Sequence, residues 1–112
     1  MMDVVGHARD RFITVVPEVE MPGHTRSILA AHPELSCTGA KQNPPREWGI
    51  FDDVLCAGNP DSLRFVKEIL DEVAYVFPSH LIHVGGDEVP PTRWNECEKC
   101  RAAMKAANVD AV

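Results

Sequence analysis

Leu81-Ile82-His83-Val84-Gly85-Gly86-Asp87-Glu88 sets a short apolar run against two glycines and two adjacent carboxylates. The run predicts a buried strand. The glycines permit a sharp turn and a close approach of the backbone to a ligand. Asp87 and Glu88 then fall where the strand ends, the place where parallel α/β folds build their active sites. Adjacent carboxylates repel, and a carboxyl group kept protonated near neutral pH is what a general acid requires.

Upstream, Phe12-Ile13-Thr14-Val15-Val16 is rich in β-branched residues and is bounded by Pro17, which predicts the other strand. A helix precedes it over residues 2–11. A loop follows from Glu18 to His24, with Pro22-Gly23 marking a turn. Thr25 is placed to cap a helix from Arg26 to Ala31 that Pro33 ends. Residues 36–58 form a long connection of the kind that often carries function. Asn59-Pro60 signals a helix start, and Leu63, Val66, Leu70, Val73 and Phe77 make its apolar stripe. Pro78 stops that helix, and His80 to Val84 form the second strand. After Pro90-Pro91, Trp94, Cys97, Arg101 and Met104 predict a last helix ending near Asn108.

Two strands joined through a helix imply a parallel βαβ unit. Parallel strands need both faces covered, and two strands with three helices close a core poorly. The 112 residues therefore read as an α/β arc cut from a larger barrel or sheet.

Composition bounds the function. Apolar content of 45% and charged content of 25% are those of a globular chain. A net charge of -6 with no basic stripe excludes nucleic acid as a partner. No apolar run approaches the ~20 residues that span a bilayer. The opening MMDVVGHARD lacks the apolar core of a signal peptide. Cys97 and Cys100 form a CxxC. Zinc needs two further ligands, and Cys37, Cys56 and His80 are scattered in sequence, so no metal is expected. A redox CxxC usually opens a helix, whereas this one falls inside a helical pattern. The expectation is two small, partly buried side chains on one helix.

Both strands end in polar clusters: Glu18, Glu20 and His24 after the first, His83, Asp87 and Glu88 around the second. Adjacent parallel strands lie ~4.8 Å apart, so the two clusters are expected to share one pocket. Glu18 and Glu20 also have a plainer reading as solvated loop charges. His83 is expected inside the strand, propping the site without touching substrate. His24 is expected to pair with a carboxylate and tune Glu88.

Pro17-Glu18-Val19-Glu20-Met21-Pro22-Gly23-His24 together with His83-Val84-Gly85-Gly86-Asp87-Glu88 resembles the family 20 glycoside hydrolases, the β-N-acetylhexosaminidases. Ala31-His32-Pro33-Glu34-Leu35-Ser36-Cys37 is similar to the same family. Asp52-Asp53-Val54-Leu55-Cys56-Ala57-Gly58-Asn59 and Arg93-Trp94-Asn95-Glu96-Cys97 resemble its bacterial members. The resemblance covers nearly the whole chain. It implies a (β/α)₈ TIM barrel of ~250 residues, of which residues 1–112 would be a catalytic-domain fragment holding the third and fourth strands.

The implied chemistry is substrate-assisted retaining hydrolysis of terminal, β-linked N-acetylhexosamine residues. The substrate's 2-acetamido oxygen attacks the anomeric carbon and forms an oxazolinium intermediate. By resemblance, Glu88 is the general acid and later the base on water. Asp87 orients the acetamido group and stabilises charge on its nitrogen. His24 is hydrogen-bonded to the acid, and Glu18 belongs to the same network. Glu20 stands where the family often has Asp, so its carboxylate reaches one methylene further. No cofactor or metal is implied. Glycans ending in N-acetylglucosamine or N-acetylgalactosamine are the implied partners, and a periplasmic or extracellular parent is the implied location.

The family's sugar-binding arginine, an aspartate from the second strand, and the aromatic walls of the acetamido pocket have no counterpart here. Trp48 and Trp94 match none of those walls and are expected to serve packing. The chain alone is therefore expected to be inactive, with open edges that self-association could cover. Two other classes compete. A metal-dependent hydrolase would use His24, His83, Asp87 and Glu88 as ligands, but no HExxH-like pair supports it. A non-catalytic carbohydrate-binding module would have little need of the acidic pair.

Overall fold

The structure is a computed structural model that describes residues 1–109. Helix α1 spans Met2–Arg9, α2 Arg26–Ala31, α3 Pro60–Val76, α4 Thr92–Glu96 and α5 Glu98–Ala106, with a 3₁₀ turn at Pro33–Leu35. The Cα radius of gyration is 16.2 Å. A closed domain of this length has about 13 Å. The chain is thus more opened out than a closed domain of its length.

The two expected strands do not form, and the pairing that does form falls on residues 17–21, in the expected loop after Phe12–Val16, against His83 and Val84. Among the described residues no strand ladder forms, and a single parallel bridge joins Glu18 to His83. Around it, His83 N–H donates to Pro17 O at 2.9 Å, Val19 N–H to His83 O at 2.9 Å, and Met21 N–H to Val84 O at 3.2 Å. The parallel direction agrees with the expectation, while the full strands do not form. A parallel strand is stabilised by neighbours on both sides, and here each segment has one. Ile13 and Leu81 accordingly remain 58% and 68% exposed. Phe12 does not begin a strand. It takes a left-handed backbone (φ 58) just after α1 and is fully exposed. Phe12 N–H reaches Arg9 O and Ile13 N–H reaches Ala8 O, the paired bonds of a Schellman stop. The same motif ends α5. There Asn108 has φ 54, and Asn108 and Val109 donate to Lys105 O and Met104 O.

The core is small. Leu29, fully buried, meets Leu35 and Leu55, with Met21, Ile28, Phe65 and Val66 packed around them. Asn59 caps α3 by accepting from Asp61 N–H, while its amide donates to Glu34 O. Ser62 Oγ donates to Leu35 O at 3.0 Å. These bonds seat the start of α3 on the Pro33–Leu35 turn. Of the expected stripe, Val66, Leu70, Val73 and Phe77 are half-buried but Leu63 is exposed. Thr25 precedes α2 as expected, yet its hydroxyl donates back to Pro22 O instead of capping the helix. Trp94 packs as expected and donates to Leu55 O, whereas Trp48 is 96% exposed.

The expected last helix is broken at Cys97, whose extended backbone (ψ 123) separates α4 from α5. The CxxC therefore opens a helix instead of lying within one. Cys37 and Cys56, distant in sequence, join Cys97 and Cys100 in one cluster. That overturns the expectation that Cys37 and Cys56 are too scattered to join the CxxC, while His80 is not in the cluster. The long connection brings them together: Cys56 N–H bonds Leu35 O, and Ser36 bridges Leu55. Arg93 to Asp53 at 2.9 Å and Thr92 to Asp52 at 3.1 Å tie the connection to α4.

Candidate active site

The carboxylate-bearing turn begins where the Glu18–His83 pairing ends. Gly85 and Gly86 both take positive φ, 65° and 105°, which glycine adopts without a steric cost, and the chain bends at Glu88. A Cβ on Gly85 would collide with the Glu20 carboxylate. That carboxylate accepts from Gly86 N–H at 2.9 Å. Glu20 is therefore neither a free loop charge nor a direct partner of Glu88. Its longer side chain holds the diglycine turn in place.

His24 reaches the turn from the other loop. Gly23 lets the two loops close, since a Cβ there would lie 3.2 Å from Asp87 O and 3.3 Å from Glu88 O. His24 Nε2 then sits 3.2 Å from Glu88 Oε2. One ligand atom each of His24, Asp87 and Glu88 lies within 4.8 Å of the others. His24 and Glu88 both adopt left-handed backbone, φ 55 and φ 51. Each such non-glycine residue costs about 1–2 kcal/mol, a cost that persists where function holds it.

Glu18 and His83 form a separate pair, Oε1 to Nδ1 at 3.4 Å. Gly85 N–H also donates to His83 Nδ1, at 3.2 Å. The same nitrogen serves the turn when it carries a lone pair and serves Glu18 when it carries a proton. His83 thus holds the backbone of the turn at Gly85. It is not interior, because no further segment covers its face among the described residues, and its side chain is 60% exposed. The predicted pocket is divided: His24, Asp87 and Glu88 converge, while Glu18–His83 and Glu20–Gly86 brace the turn from below. Of the four ligands the metal alternative names, His24, Asp87 and Glu88 converge, and His83 does not belong to that cluster. A hollow of about 500 Å³, lined by Arg26, Asn43 to Glu47 and Phe51, lies apart from the acidic pair.

Two residues outside the expected set also shape the site, Gly23 as a point of loop contact and Leu55 as a support. Leu55 N–H donates to Pro22 O at 3.1 Å, steadying the loop that carries His24. The signal for Gly23 was present in the Pro-Gly-His triplet. Leu55 had none.

The profile of the glycosyl hydrolase family 20 catalytic domain matches residues 1–112. A β-hexosaminidase of Porphyromonas gingivalis is 48% identical over 103 residues, covering 92% of this chain and 13% of that protein. One from Vibrio furnissii is 42% identical over 103 residues, 91% of this chain and 17% of the other. Among solved structures, a β-N-acetylhexosaminidase from Bacteroides fragilis superposes with a TM-score of 0.85 at 40% identity, over 96% of this chain and 20% of that one. Another β-N-acetylhexosaminidase gives 0.92 at 33% identity, over 97% and 24%. The chain spans less than a quarter of each of these relatives, and the structural neighbours are TIM-barrel enzymes. With the PExxxPGH and HxGGDE loops closed on each other as described, the chain belongs to glycosyl hydrolase family 20.

Proposed function

We propose that residues 1–112 are an arc of a family 20 barrel, holding its third and fourth strands, and carry the catalytic pair of an exo-acting β-N-acetylhexosaminidase. The observation that supports this most is the closure of His24 on Glu88 at 3.2 Å, with Asp87 in the same cluster. Glu88 donates its proton to the glycosidic oxygen as the bond to the aglycone breaks. The substrate's acetamido oxygen attacks the anomeric carbon from within the sugar, forming the oxazolinium ring. Asp87 stays ionised beside the acetamido N–H, orienting it and offsetting the positive charge that develops there. Glu88 then takes a proton from water as the ring opens. His24 fixes the direction of the Glu88 carboxyl throughout.

The substrates are glycans with a terminal, β-linked N-acetylglucosamine or N-acetylgalactosamine, and the whole enzyme is exported. The remaining barrel supplies the walls around the acetamido group and covers Ile13 and Leu81. In the isolated chain, self-association covers them instead.

The test is a chimera in which residues 1–112 replace the corresponding arc of the Bacteroides fragilis enzyme. The chimera is expected to release a chromogenic aglycone from an aryl N-acetyl-β-glucosaminide. The isolated chain is expected to release none, because positioning that is worth roughly 7–11 kcal/mol of barrier depends on the missing enclosure. Turnover by the isolated chain, or a folded chimera without turnover, would contradict the proposal.

A further inference from the structure

The four cysteines lie away from the acidic pair and take no part in the chemistry above. Their sulfur atoms all fall within 4.8 Å of one another. Cys56 to Cys100 is 3.5 Å, Cys37 to Cys100 is 3.7 Å, and Cys56 to Cys97 is 3.9 Å. A zinc ion bonded to four thiolates at about 2.3 Å sets neighbouring sulfurs about 3.8 Å apart. A disulfide requires about 2.05 Å. Cys100 neighbours both Cys37 and Cys56, and Cys56 neighbours both Cys97 and Cys100. The sulfurs make a cage around one point, not two separate pairs.

We propose that Cys37, Cys56, Cys97 and Cys100 hold one structural zinc ion in a closed tetrahedral thiolate site.

The surrounding backbone is shaped for thiolates. The break at Cys97 turns the N–H groups of Cys100 and Lys99 toward its sulfur. Gly58 N–H donates to Cys100 Sγ at 3.4 Å. Gly58 has to lack a side chain, since a Cβ would collide with the Lys99 backbone. These donors offset the negative charge that four thiolates leave on the complex. Soft sulfur ligands select zinc over hard cations, and four protein ligands leave no open position for catalysis. A redox CxxC needs two sulfurs, and the two additional ones here complete a coordination sphere. On binding, each S–H gives its proton to the buffer and forms a Zn–S bond, with no change of oxidation state.

The ion would tie the end of the Pro33–Leu35 turn, the long connection and the start of α5 across 63 residues. That matters in a chain with so small an apolar core. It also fixes Cys56, whose neighbour Leu55 supports the His24 loop.

The chain is to be purified reduced and without oxygen from zinc-supplemented medium, and its metal measured by mass spectrometry. One zinc per chain is expected, with all four thiols resistant to alkylation until a chelator is added. Replacement by cobalt is expected to give the strong visible absorption of tetrahedral cobalt thiolate. The Cys97→Ser, Cys100→Ser double variant should lose the metal. Gly58→Ala keeps every thiol, so it separates the folded site from nonspecific thiol binding, and zinc affinity should fall about 10- to 100-fold. The same assays on the chimeric barrel keep the test valid if the short chain does not fold. Four freely reactive thiols without stoichiometric metal, two disulfides, or metal retained by the double variant would each overturn the proposal. Unchanged affinity in Gly58→Ala would overturn it as well.

Discussion

Glu88→Gln in the chimeric barrel is expected to lower kcat by about 10²- to 10⁴-fold, the usual contribution of a positioned acid. Glutamine keeps the size of the side chain and can still bond His24, whose Nε2 lies 3.2 Å from the native carboxylate. It cannot release a proton to the departing oxygen. KM should change little, because sugar binding rests on other groups. The loss should be larger for a sugar aglycone than for a nitrophenyl aglycone, which leaves without full protonation. Equal losses for both leaving groups would mean that Glu88 serves structure and not proton transfer.

Leu29→Ala is expected to have the largest effect on stability. Leu29 is fully buried at the centre of the cluster with Leu35 and Leu55. Truncation removes its apolar contacts and leaves a cavity, which costs about 2–5 kcal/mol in well-packed sites. Marginal stabilities of about 5–15 kcal/mol make that a large share. The urea midpoint of the chain should fall by a corresponding amount. A midpoint within error of the parent would show that the three-leucine cluster is not what holds α2, the 3₁₀ turn and the long connection together.

The acidic pair was legible because its chemistry is local. Two glycines followed by Asp87 and Glu88 fix a turn and its cargo within six residues of His83. The pairing of His24 with Glu88 was legible through Pro22-Gly23, a turn that has to bring its next residue close to something. The parallel direction of the segments followed from the helix between them. The extent of the strands did not, since ladder length depends on neighbours on both sides, and among the described residues His83 and Val84 are paired on one side, with residues 17–21. Phe12 shows a further limit: its aromatic, strand-like composition yielded to the Schellman stop of α1. Helix periodicity across Cys97 hid a break, because Trp94, Arg101 and Met104 keep a helical spacing on either side of it. The cysteine cluster was illegible for a related reason. Its four members come from three segments: the antiparallel contact of Ser36 with Leu55 sets the first two side by side, and Thr92, Arg93 and Trp94 tie that connection to the helix before the CxxC.

The central claim is that Asp87 and Glu88 act with the substrate's own acetamido group as nucleophile. It is tested most directly by offering the chimera two aryl glycosides that differ only at the sugar's second carbon, one carrying acetamido and the other hydroxyl. Turnover of the first and none measurable of the second is the result expected. Comparable turnover of both would place the nucleophile on the protein and contradict the account.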